Sequence, residues 1–136
     1  MNERVAKAIQ NYGKGYTCAQ AVLCAYAKQA GLDEKTAYRL FEGFGGGCGG
    51  MQEICGALAA AFAVISYHYS DGEPEQSASK PVTFSKIREA AELFKEKYGA
   101  VACRDVMQGQ KPQPFKCGAK VKLAAEIIET MLEETK

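Results

Sequence analysis

The sequence holds a single histidine, no C-x-x-C pair and almost no net charge. Seventeen basic and 16 acidic side chains leave +1, so no basic face is implied and nucleic acid is a poor fit as a partner. No block of like charge marks a disordered tail. The longest apolar run, Ile54 to Ile65 around Gly56, falls short of the roughly 20 residues that a membrane span needs. A buried core helix is expected there, without membrane insertion. The segment Met1-Asn2-Glu3-Arg4-Val5 lacks the apolar stretch of a signal peptide, and cytoplasm is the expected location. Without C-x-x-C, the spacing of thioredoxins and zinc fingers is missing, and without C-x-x-C-H covalent c-type haem is not expected.

What is present suits one helical domain spanning residues 1–136. The apolar fraction, 47%, and charged fraction, 24%, are ordinary for a globular chain. Val5, Ala8, Ile9 and Tyr12 share one helical face, ended by Gly13 and Gly15. Thr17 offers an N-cap for a helix running to about Ala30, with Gly31 just past its end. Asp33 caps a short helix through Phe41, and the Gly-rich segment Gly43 to Gly50 follows. The apolar central helix is expected to begin between Gly50 and Glu53, with Glu53 in its first turn, and to end near Tyr69. Ser79 is a candidate N-cap for an amphipathic helix from about Pro81 to Tyr98, stopped by Gly99. A helical turn is expected over Cys103 to Met107, irregular chain over Gly109 to Lys116, and a last helix from Cys117 or Gly118 to Glu134. No segment alternates with period two. The fold class is therefore all-α, a compact bundle of five to six helices with a Gly-rich loop before an apolar central helix.

Six cysteines stand on this map: Cys18, Cys24, Cys48, Cys55, Cys103 and Cys117. In a reducing compartment they are more suited to metal binding, redox reaction or core filling than to structural disulfides. Cys18, Cys55, Cys103 and Cys117 all fall near helix starts, where free N–H groups and partial positive charge favour thiolate over thiol. Arg104 and Lys116 are sequence neighbours that could add to the effect. Cys24 lies in the apolar run Ala21 to Ala25 and reads as core. Cys48 sits among glycines and is undecided.

The runs Gly15-Tyr16-Thr17-Cys18-Ala19-Gln20-Ala21-Val22, Gly43-Phe44-Gly45-Gly46-Gly47 and Cys55-Gly56-Ala57-Leu58-Ala59-Ala60, with Cys103-Arg104 and Cys117, carry a family resemblance. The chain resembles the proteins named for a cysteine, a Cys-Gly-Ala-x-x-Gly element and two further cysteines, to which redox activity is ascribed. The resemblance covers nearly the whole chain. It implies that Cys18, Cys55, Cys103 and Cys117 form the family's cysteine set, while Cys24 and Cys48 match no motif cysteine. Ala60 stands where the motif has its final glycine. More distantly, the chain is similar to the non-haem portion of split-Soret-type cytochromes, which implies an iron–sulfur or metal cluster.

Two chemistries remain open for these four thiols. They can bind an iron–sulfur cluster or zinc for electron transfer, a metal cation relieving the repulsion among converging thiolates. Alternatively, they cycle between dithiol and disulfide without metal, nucleophile and resolving thiol lying among Cys55, Cys103 and Cys117. The protein would then be an oxidoreductase or an electron-transfer component with a redox partner protein. A third class is a non-catalytic helical accessory module. The glycines of residues 43–50 form no phosphate-binding motif, so no nucleotide is expected; close backbone approach to the cysteine site suits them better. His68 suits a helix C-terminus. Tyr16 suits either core packing or the site, and Glu53 either first-turn stabilisation or a base near Cys55. The apolar central helix also offers a surface for a homodimer.

Overall fold

A computed structural model describes residues 2–75, 78–106 and 117–133. Among these, seven α-helices follow one another: α1 (Glu3–Gly13), α2 (Cys18–Ala25), α3 (Glu34–Phe41), α4 (Gly56–Tyr69), α5 (Lys80–Tyr98), α6 (Cys103–Val106) and α7 (Gly118–Glu133). No strand occurs among the described residues; one isolated antiparallel bridge joins Ile54 to Ala102. The helix count exceeds the expected five to six because α6 forms as a separate single turn. The region expected to be irregular, Gly109 to Lys116, lies outside the described residues, as do Met107 and Glu134.

Local chemistry sets most boundaries. Thr17 and Gln20 form a reciprocal capping box at the start of α2, each side chain accepting from the other's backbone N–H. That helix stops at Ala25, earlier than expected, and a 3-10 turn over Lys28–Ala30 carries the chain to Gly31, which is left-handed. Asp33 caps α3 by accepting from the Thr36 N–H at 2.7 Å. Ser79 stands at the N-cap position of α5 as expected, but its hydroxyl makes no capping bond and instead accepts from the Asp71 N–H at 3.0 Å, closing the preceding loop. The central helix begins at Gly56, because residues 50–55 are taken up by turns and by the bridge to Ala102. Glu53 therefore lies outside the helix.

α4 is apolar nearly all round and packs against α2, α5 and α7. Leu58, Val64 and Ile65 have no exposed surface, as is true of Val121, Ile128 and Phe94 on the helices around it. Burying each such side chain stabilises the fold by about 1.5–3 kcal/mol.

α7 is fastened at two polar points. The Arg4 guanidinium meets the Glu129 carboxylate through Nε at 2.9 Å and Nη2 at 3.0 Å. The fully buried Tyr26 hydroxyl donates to the same carboxylate at 2.7 Å. Further along, Tyr69 donates to the Met131 carbonyl at 2.6 Å. These bonds from α1, α2 and α4 hold the C-terminal half of α7, while the Cys117 N–H just ahead of its start donates to the Tyr12 hydroxyl. No helix among the described residues is long and apolar enough to cross a membrane.

Candidate functional site: a cluster of buried thiols

Cys18 is the first residue of α2, Cys55 the N-cap of α4 and Cys103 the first residue of α6; Cys117 immediately precedes α7. All four are buried and none is in a disulfide. The Ile54–Ala102 bridge lies one residue ahead of Cys55 and of Cys103, and so brings two distant segments together. The Cys55 N–H donates to the Val101 carbonyl at 2.9 Å, and the Cys103 N–H donates to the Glu53 carbonyl.

The Gly-rich loop is the floor of the cluster. A methyl group on Gly47 would sit 2.6 Å from Cys103 Cβ, and one on Gly56 would sit 2.9 Å from Cys18 Sγ. One on Gly45 would sit 2.5 Å from Thr17 Cβ, at the start of α2. Only hydrogen in place of a side chain permits these approaches. Ala60, at the motif's last glycine position, is fully buried in the second turn of α4.

The four sulfurs do not share one state. Cys117 is lowered to about 6, first by a hydrogen bond from the Cys18 thiol, then, against burial, by the Lys120 ammonium and the Tyr12 hydroxyl. The same bond, together with burial, pushes Cys18 far above the ordinary thiol range. The pair thus holds one proton, on Cys18, at neutral pH. Burial pushes Cys55 up to about 11, although the Ala57 and Leu58 amides face its sulfur. Burial also raises Cys103. Position at a helix start therefore does not make four thiolates. Desolvation outweighs it at Cys55 and Cys103.

Tyr12 and Lys120 are the functional residues that helix-start reasoning misses. Tyr12 touches Cys117 twice, accepting from its backbone N–H at 3.1 Å and hydrogen-bonding its sulfur. Lys120 lies one turn into α7, with Nζ 5.2 Å from the centre of the Tyr98 ring. Its spacing from Cys117 is a usable signal; nothing marks Tyr12 beyond its place on the apolar face of α1. Arg104, expected to support a thiolate, pairs instead with Glu53 at 2.6 Å and donates to the Gln52 carbonyl. Glu53 is exposed and held in that pair. Lys116 lies outside the described residues. Tyr16 stacks edge-on against Tyr38 at 5.0 Å, and His68, in the last turn of α4, packs edge-on against Tyr69. Cys24 is core, its thiol donating to the Glu34 carbonyl at 3.8 Å. Cys48 is half-buried on the Gly-rich loop.

Replacing Tyr12 by Phe removes a donor to the Cys117 thiolate. A hydrogen bond to a charged group is worth about 1.5–3 kcal/mol and one pH unit corresponds to about 1.4 kcal/mol, so the Cys117 midpoint should rise by about 1–2 pH units. Lys120→Met should move it in the same direction by at least as much, because the ammonium charge lowers Cys117 more than the Tyr12 hydroxyl does. Thiolate absorbance against pH reads both.

Residues 16–131 match the family model described as "Putative redox-active protein (C_GCAxxG_C_C)". The chain belongs to this family. No curated protein and no solved structure matches it. The match to the C_GCAxxG_C_C family takes in all four clustered cysteines, with Cys24 and Cys48 also inside its span. Four sulfurs are the donor set of a tetrahedral zinc site or a [2Fe–2S] cluster. Among the described residues, however, no three His, Cys, Asp or Glu side chains are gathered closely enough to hold an ion. As they stand, the thiols do not fit a coordination shell.

Proposed function

We propose that this member of the C_GCAxxG_C_C family is a thiol–disulfide redox protein whose reactive pair is Cys117 and Cys18. The observation that carries the reading is the single depressed thiol, Cys117, hydrogen-bonded by a neighbouring thiol that keeps its proton. A thiolate ionised at neutral pH is both a competent nucleophile and a good leaving group in exchange. Cys117 attacks a sulfur of an external disulfide and forms a mixed disulfide; the partner's other sulfur leaves as thiolate. Cys18 then loses its proton and attacks Cys117 Sγ, releasing the partner's second thiolate. The substrate disulfide gains two electrons, and the protein is left with a Cys18–Cys117 disulfide. Tyr12 and Lys120 stabilise the thiolate at Cys117, while the low exposure of both sulfurs limits unspecific oxidation.

The experiment is disulfide mapping. Anaerobically purified protein is oxidised with one equivalent of diamide, its remaining thiols are alkylated, and its peptides are read by mass spectrometry. The expected product links Cys18 to Cys117. Stoichiometric zinc or iron in the purified protein, with all four motif thiols shielded from alkylation, would instead favour the cluster reading. Six thiols unchanged by oxidant, in metal-free protein, would favour a helical accessory module.

A further inference from the structure

Lys120 stands three residues beyond Cys117, whose carbonyl accepts from the Val121 N–H at 2.9 Å as α7 begins. Residues three apart at a helix start are neighbours on its surface. Lys120 is half-buried rather than free in solvent. Its ammonium sits over the Tyr98 ring, 5.2 Å from the centre. The quadrupole of an aromatic face holds a cation there. That ring is itself fixed. It packs at 5.1 Å against Phe94, which has no exposed surface, and Gly99 ends α5 directly after it. Two residues further on, Val101 accepts from the Cys55 N–H at 2.9 Å, so this end of α5 is tied to the cysteine cluster. Burial raises the Tyr98 hydroxyl above its ordinary value, and the ring brings no negative charge to Lys120.

Among the described residues, no carboxylate pairs with Lys120. Its charge is answered in the reduced protein by the Cys117 thiolate, which it stabilises. Attack on a disulfide removes that answer. Cys117 Sγ bonds to one sulfur of the substrate, the substrate's S–S bond breaks, and the other sulfur leaves with the electron pair as thiolate. Cys117 is then neutral, and a half-buried ammonium is left without a counter-charge from the protein. Such a charge is costly to keep unpaired. A negative group on the substrate would supply the partner at that step.

We propose that Lys120, held in place by the Tyr98 ring, binds a carboxylate of the substrate, and that the preferred substrates are small acidic disulfides. The proposal rests on the reading of Cys117 as nucleophile given above. Size follows from access. Cys117 is 8% exposed and Cys18 7%, which admits a slender molecule more readily than a folded partner. Lys120 touches the substrate. Tyr98 acts through Lys120 and is a positioning residue.

The test compares two small disulfides that differ in charge, dithiodipropionate and hydroxyethyl disulfide. Each is added in excess to the reduced full chain at neutral pH, and loss of alkylatable Cys117 is followed by mass spectrometry. The readout is the rate with the acidic reagent divided by the rate with the neutral one. The ionised fraction of Cys117 cancels from this ratio, so the effect of Lys120 on the thiolate does not move it. Dithiothreitol, a neutral thiol free in solution, gives the reference ratio. The wild-type ratio should exceed the reference by about tenfold, as one charge-assisted hydrogen bond supplies. Lys120→Met should bring it down to the reference, and Lys120→Arg should keep it high. Tyr98→Leu should lower it, and Tyr98→Phe, which retains the ring, should not. A wild-type ratio at the reference, or an unchanged ratio in Lys120→Met, overturns the proposal. An unchanged ratio in Tyr98→Leu overturns the positioning role. Failure of the nucleophile reading looks different: Cys117 would stay alkylatable with both reagents.

Discussion

Titrated by its thiolate absorbance, the native protein should ionise one thiol with a midpoint of about 6, and Cys117→Ser should erase that step. At pH 7 a group with that midpoint is about nine-tenths ionised, while a thiol at the ordinary value is only a few per cent ionised. One thiolate among Cys18, Cys55, Cys103 and Cys117 is therefore the expected count. Cys18→Ala should leave the step in place but move it to about 7–8, since the largest cause of the lowering is the Cys18 hydrogen bond. A Cys117 midpoint at the ordinary thiol value in the native protein would remove the basis for naming it the nucleophile. Stability follows with a definite sign. A thiol whose midpoint is depressed by folding stabilises the native state above its unfolded value and loses that contribution as pH falls. The Cys117 contribution should thus be complete above about pH 9 and fade down to about pH 6. Cys55 acts oppositely above pH 9, where the unfolded chain ionises and the buried thiol, pushed up to about 11, still does not. Denaturant midpoints across pH 5 to 10 would show the rise and then the fall.

Gly47→Ala should be the most damaging conservative change in the Gly-rich loop. Its methyl would lie 2.6 Å from Cys103 Cβ and 2.7 Å from the Gln52 α-carbon, and the residue has φ +74°. Backbone on one side and a buried cysteine on the other leave little room to move. Overpacking costs about 1–3 kcal/mol and a left-handed alanine about 1–2 kcal/mol more. Thermal unfolding should fall by roughly 6–15 °C. Gly50→Ala is the control, since its φ is +73° but nothing lies within 4 Å of the added methyl. It should lose only the conformational part, about 1–2 kcal/mol. Equal losses in the two variants would show that the loop does not clamp the cysteine cluster.

Much of this fold was legible because its punctuation is local. The Thr17–Gln20 capping box, the Asp33 cap, and the left-handed stops at Gly31 and Gly99 all act within a few residues. The four cysteines at helix starts followed from the same signals. What escaped is long-range. The central helix starts late because Ile54 pairs with Ala102, far along the chain. Arg104 stands beside Cys103 in sequence, yet its charge goes to Glu53. Tyr12 reaches Cys117 only because α1 packs on α7. Most important, the ionisation of each sulfur depends on how deeply it is buried and on which neighbour donates to it. Neither property is written in spacing, so four apparently equivalent helix starts resolve into one thiolate and three thiols.

The fastening of α7 by Arg4, Tyr26 and Tyr69 has a consequence for how the protein acquires its chemistry. Cys18 and Cys117 are separated by roughly 100 residues, and a disulfide closing a loop of that size removes about 4.7 kcal/mol of unfolded-chain entropy. During folding, no partner stands beside Cys18 until the last helix docks, and Cys117 before that moment is an ordinary thiol. A half-assembled molecule therefore lacks the lowered Cys117 thiol and exposes cysteines that the finished fold buries.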